Sequence, residues 1–200
     1  MTQFDDPRRD LIEIRSMMEQ SSKFLSLSGL AGVSAGTVAL TGAGTAYWRL
    51  SRQDSAAGNA DLTAFLLTDA VLVLALAIGL AIFFTTRMAK KKGLPIWSGT
   101  TRYLLASLLV PLAVGGLFCL IAWHHGLIML IAPATLIFYG LALLNSTKYT
   151  LREVQYLAAA EILLGLLAFQ FLDAWLIFWA TGFGILHIVY GVIMYAKYEK

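Results

Sequence analysis

The sequence predicts an all-α integral membrane bundle of six transmembrane helices, laid out as three hairpins behind an amphipathic N-terminal helix. Three observations predict it. The 200 residues are 58% hydrophobic and only 14% charged, with a mean hydropathy of +0.72, whereas a soluble domain carries about 25% charged residues. Apolar runs of about 20 residues recur along the chain, the length a helix needs to cross a bilayer. Finally, Lys and Arg gather beside the ends of those runs, where they orient helices in a membrane. The runs do not alternate apolar and polar residues, which argues against a β-barrel. Backbone groups in lipid must be satisfied within the segment, which favours helices. At roughly 33 residues per span and connection, six spans nearly exhaust the chain and leave no room for a second domain.

Residues 1–23 form the first unit. Asp6-Pro7 is a helix start, with Asp as N-cap and Pro at the first helical position. Leu11, Ile14, Met18 and Leu25 share one helical face, and Arg8, Arg9, Glu13, Arg15 and Glu19 point elsewhere. Such a helix lies on the membrane surface or against its own bundle; its other use is docking a cytoplasmic partner. The long, acid-containing charged region does not fit a signal peptide.

Residues 24–200 form the membrane domain. Span one, roughly Phe24 to Trp48, has Ser28, Gly32 and Gly36 at four-residue spacing, a pattern that lets two helices approach closely. Ser, Gly, Asn and Ala fill the connection from Arg49 to Asp61, as in loops. Span two, roughly Leu62 to Thr86, carries Asp69 and is followed by Arg87, Lys90, Lys91 and Lys92. Span three, about Tyr103 to Trp123, contains Pro111, and span four, about Leu127 to Leu144, contains Pro133; a proline inside a span kinks it and frees a carbonyl. Spans five and six form a hairpin from Glu153 to Lys197 with a tight turn at Asp173-Ala174.

Thirteen of the fifteen Lys and Arg residues fall on the side of the chain termini, and only Arg49 and Arg52 fall on the other. This places both termini in the cytoplasm of a bacterial inner membrane. The net charge of +3 is used up in that orientation and does not point to nucleic acid. Cys119 is the only cysteine, so no intramolecular disulfide forms. A weak internal repeat is also legible: Ser21-Ser22-Lys23-Phe24, Thr100-Thr101-Arg102-Tyr103 and Ser146-Thr147-Lys148-Tyr149 precede the odd spans. Tyr139-Gly140 and Tyr190-Gly191 recur near the inner ends of spans four and six, with Gly79 at a similar place in span two. Three such hairpins could close as a pseudo-threefold bundle; convergence on base-plus-aromatic helix ends explains the same pattern.

Two runs, Leu151-Arg152-Glu153-Val154-Gln155-Tyr156-Leu157 and Gly182-Phe183-Gly184-Ile185-Leu186-His187-Ile188-Val189-Tyr190-Gly191, resemble an uncharacterised family of small multi-span membrane proteins of Bacteroidetes-type bacteria. Ile14 to Gly29 fits the same likeness. The resemblance implies a multi-span fold and no assigned activity. More loosely, and by architecture alone, the plan resembles the HdeD-like six-span proteins.

Glu161 and His187 are the candidate working residues. Ionisable groups at membrane depth are costly and normally face protein, water or a partner. Glu161 lies about twelve residues before the turn and His187 about fourteen after it, so their levels differ by one or two helical steps of about 1.5 Å. A Glu–His pair in a low dielectric can share a proton and titrate as a unit; interhelical polar glue is the plainer alternative. Asp69, Tyr156 and Tyr190 are candidate supporting polar residues, and Gly32 and Gly36 candidate packing residues. His124-His125 is a weak metal signal without further ligands, and no metal or cofactor is implied. No Walker loop, dinucleotide fingerprint, zinc-protease motif, CxxC pair or serine-nucleophile elbow is present, which argues against the common enzyme classes. The reading that follows is a scaffold, sensor or accessory subunit with no chemistry of its own; the alternative is a small oligomeric transporter or channel that uses Glu161 and His187 as a proton-coupling pair. The expected partners are membrane lipids, a second copy of the chain, or a cytoplasmic partner of the N-terminal helix.

The charge asymmetry is testable by labelling. Cysteines placed near Gly58 should react with an impermeant thiol reagent added outside, and cysteines near Lys91 and Lys148 only after permeabilisation. The reverse pattern would overturn the orientation.

Overall fold

The structure, a computed structural model, describes residues 27–52 and 59–200, with the backbone alone at 59 and 60. The expected amphipathic helix at 1–23 and the start of span one at Phe24 lie outside the described residues. Within them every regular element is helical: α1 (Gly29–Ser51), α2 (Asn59–Lys91), α3 (Gly99–His124), α4 (Ile131–Ser146), α5 (Glu153–Gln170) and α6 (Leu172–Tyr198). Five of these, α2 to α6, are long and apolar enough to cross a membrane, α4 with its flanking turns. The remaining helix, α1, is dominated by Gly, Ala, Ser and Thr, which lowers its hydropathy.

Local chemistry fixes the helix ends. Ser98 caps α3, its hydroxyl accepting the Thr101 N–H at 3.1 Å. Gly93 and Gly126 take positive φ, 64° and 74°, where α2 and α3 stop; Leu94 N–H then reaches back to Ala89 O and Leu127 N–H to Ala122 O. Only glycine adopts that turn without strain. The side chain of Ser28 does not cap α1. Instead the carboxylate of Glu199, at the end of α6, accepts the Gly29 N–H, a favourable anion at a helix N-terminus. Of the two prolines, only Pro111 stands in a helix interior. Helix α3 runs without interruption through Pro111. Pro133 sits in the first turn of α4, where the missing N–H has no intrahelical partner to lose.

The helices pack in the order α2, α1, α6, α5, α4, α3, with the first part of α6 also against α4. The three sequence hairpins therefore lie side by side, and the hairpin of α5 and α6 is in the middle. Helices α2 and α3 do not pack on each other, so the described residues form an open arrangement instead of a closed pseudo-threefold ring. The repeat glycines divide accordingly. A Cβ at Gly140 would lie 2.9 Å from Ala158 O, and one at Gly191 2.9 Å from Val33 Cγ2, whereas Gly79 faces open space.

The small-residue face of α1 meets α6. A Cβ at Gly32 would lie 3.0 Å from Gly191 Cα and 3.1 Å from His187 O; one at Gly36 would lie 2.6 Å from Gly184 O and 2.9 Å from Ile188 N. Glycine on both sides lets the backbones touch, which is the main source of association where lipid tails are as apolar as leucine. The same device joins α5 to α4, where a Cβ at Gly165 would meet Pro133 O and Ile137 N at 3.0 Å.

Gly36→Leu should therefore separate α1 from α6. Overpacking of this kind costs about 1–3 kcal/mol or more, so its melting temperature in detergent should fall clearly. Ser51→Ala, at the exposed end of α1, should leave it unchanged. A Gly36→Leu protein with wild-type stability would show that this face does not hold the bundle.

Candidate intramembrane polar site

The centre of the bundle is polar at one place. Glu161, midway along α5, is completely buried, and His187 of α6 is 6% exposed. Glu161 Oε1 and His187 Nδ1 are 3.4 Å apart. The two residues whose depths matched in sequence thus face each other across adjacent antiparallel helices.

The imidazole is held from three directions. Nδ1 lies 3.0 Å from Gly182 O. Carbonyl oxygen only accepts, so Nδ1 carries a hydrogen and donates it. Nε2 lies 2.8 Å from the hydroxyl of Tyr139 on α4. The rings of Tyr139 and Phe183 flank the imidazole, with centroids 5.4 Å and 6.0 Å away. With Nδ1–H donating to Gly182, a neutral ring accepts the Tyr139 proton at Nε2, and an imidazolium donates to the Tyr139 oxygen instead.

Glu161 is held less completely. Neither carboxyl oxygen has a hydrogen-bond partner. At 3.4 Å, Oε1 is within ion-pair range of Nδ1, but the ring hydrogen is aimed at the Gly182 carbonyl. A buried polar group without a bond is rare in folded proteins and calls for a reason.

The local geometry of α6 explains how the ring is placed. Residues Ala180–Leu186 form a π-helical stretch between the α-helical Trp175–Trp179 and His187–Tyr198. Gly182 and Gly184 have weak helical preference, and Thr181 turns its hydroxyl back to Ile177 O at 2.8 Å, which loosens a helix. The widened turn pairs residues five apart. The side chain of His187 follows that spacing to the carbonyl of Gly182. Residue 182 must also be small: a Cβ there would lie 2.6 Å from both Glu161 Oε2 and Leu136 Cδ2.

The other sequence candidates lie apart from this centre. Asp69 of α2 accepts from Thr45 of α1 at 2.7 Å, tying the first hairpin together. Tyr156 is 66% exposed on α5, and Tyr190 is half-buried with no hydrogen bond to the pair. Glu153 joins Lys197 and Tyr198, whose hydroxyl lies 2.9 Å from Glu153 Oε1, closing the end of the α5–α6 hairpin away from its turn, about two turns from Glu161. His124 and His125 stack edge to face at 5.4 Å, and no cluster of three metal-ligating side chains occurs among the described residues. The residues that sequence reasoning missed are Tyr139 and Gly182. Tyr139 carried a signal, since it stands in the Tyr-Gly pair repeated at Tyr190-Gly191.

No protein-family model matches the chain, and no curated protein and no solved structure matches it.

The contact has a direct energetic test. In a double-mutant cycle of Glu161→Gln and His187→Gln, unfolding in detergent should give a coupling of at least about 0.5 kcal/mol, as for residues in contact. Additive effects would mean that the two side chains do not interact.

Proposed function

We propose that this chain is a six-span protein of the bacterial inner membrane that works as a small proton-coupled transporter or channel, with Glu161 and His187 as its proton-binding unit. One observation carries the proposal: both oxygens of the fully buried Glu161 are unbonded beside an imidazole. Polar groups that only glue helices together are satisfied by their partners. An ionisable group left incomplete in the middle of a membrane is a functional site by default.

The chemistry follows from proton counting. A neutral acid beside a neutral ring, and a carboxylate beside an imidazolium, are the same unit with one proton and no net charge. Losing that proton leaves a buried negative charge, and gaining another leaves a buried positive one. Either change favours a rearrangement that brings in water or a counter-charge. The π-helical stretch next to His187 is the natural place for it, because returning to α-helical winding would rotate the histidine away from Glu161.

The six-span topology is supported by the length of α1. Its 23 residues reach about 34 Å, enough to cross a hydrocarbon core of about 30 Å. The distribution of Lys and Arg supports cytoplasmic termini.

A second reading has its own observation. Glu161 has no exposed surface, as expected if the pair only stiffens a scaffold, sensor or accessory subunit. Proteoliposomes distinguish the two. With a pH gradient and a trapped pH dye, wild-type protein should dissipate the gradient several-fold faster than Glu161→Gln. Equal rates in wild type, variant and protein-free vesicles would rule out proton conduction and favour the accessory reading.

A further inference from the structure

Between Asp69 and Glu153 the sequence contains no acidic residue, yet it carries Arg87, Lys90, Lys91, Lys92, Arg102, Lys148 and Arg152. Four of these stand at one corner of the fold. Arg87, Lys90 and Lys91 end α2, and Arg102 is in the first turn of α3. All four are exposed, and among the described residues none of them takes part in an ion pair.

The connection 92–98 brings the two helix ends together. It reaches at most about 28 Å. Helices spaced 8–10 Å apart in the observed packing order, laid straight, would put α2 and α3 about 40–50 Å apart. The row is therefore bent enough to bring the basic ends of α2 and α3 within about 28 Å of each other, without the two helices packing on each other. The exposed surface there is apolar along the helices, with Ile82 at 59%, Phe83 at 56% and Leu105 at 39%. The connection adds Ile96 and Trp97, also exposed, and the Arg102 guanidinium lies 5.6 Å over the Trp97 ring.

We propose that this corner binds an anionic phospholipid, with its phosphate on Arg87, Lys90, Lys91 and Arg102 and its acyl chains along the exposed apolar surfaces of α2 and α3. Charge complementarity selects the occupant. Four cations with no ion pair among the described residues attract a headgroup of net negative charge and disfavour one that adds its own ammonium. Trp97 sits at the headgroup level, where an amphipathic ring is stable. The site stands apart from the Glu161–His187 unit and does not depend on its role.

The test uses the full chain in nanodiscs of phosphatidylcholine containing a minor fraction of phosphatidylglycerol. Native mass spectrometry of the released protein should show one tightly retained phosphatidylglycerol per chain. Lys90→Gln combined with Arg102→Gln should weaken that retention roughly tenfold or more. Lys148→Gln combined with Arg152→Gln removes equal charge from the same side of the protein and should leave it near wild type. Equal losses in both double variants would reduce the effect to diffuse attraction and overturn the site. So would a wild-type protein that retains phosphatidylcholine equally well or a continuum of lipid numbers, a result that needs no variant to fold.

Discussion

A carboxyl group enclosed by helices in the middle of a membrane must face a partner, and the opposition of Glu161 and His187 across 3.4 Å is the constraint on which the central packing depends. For the two to meet, α5 and α6 must run close together, and residue 182 can carry no side chain. For the imidazole to stay in register, α4 must bring Tyr139 to Nε2 and α6 must widen at Ala180–Leu186. For α6 to be held from its other side, α1 must offer glycine at 32 and 36. The glycines of α1, α4, α5 and α6 thus serve one end: they let backbones approach until a few polar atoms can meet in an apolar interior. Low dielectric makes that meeting consequential, because each unmade bond costs more there than at a surface.

The same logic orders the periphery. Helices α2 and α3 each lean on one neighbour and leave large apolar side chains outside, which lipid can cover without cost. Polar ties appear only where a helix end or an edge needs one: Thr45 with Asp69, Asn145 with the carbonyl of Ser107, and Glu199 on the first amide of α1. The basic residues collect at one end of this assembly with few acids among them, so an electrically uneven protein is built around a nearly neutral centre.

Much of this was legible in the sequence, and the reasons differ by residue. Helical spans show in continuous apolar runs because lipid imposes one length and one backbone solution. The depth match of Glu161 and His187 followed from counting outward from a turn, since helical rise is regular. Rotation about the helix axis does not follow from counting, so Tyr156 and Tyr190 were candidates on depth alone, while the structure brings Tyr139 to the ring from a different hairpin. The π-helical stretch was hidden for a related reason: Thr181, Gly182 and Gly184 read as ordinary span residues until the carbonyl of Gly182 is seen under the imidazole. Pro133 misled because its effect depends on whether it stands in the first turn or the interior of a helix, a matter of one or two residues at a boundary. The partner of the α1 glycines was likewise outside the reach of a spacing rule, which marks a contact face without saying what it touches.

On the proposed function, Glu161 and His187 hold one proton between them as a coupled unit. Infrared difference spectroscopy of the protein in lipid, with isotope-labelled histidine, reads both groups during one pH titration. For such a unit the carboxyl band of Glu161 and the ring bands of His187 should change together at each step, and replacing either residue should shift the behaviour of the other. Bands that change at separate pH values, each indifferent to loss of the other residue, would contradict it.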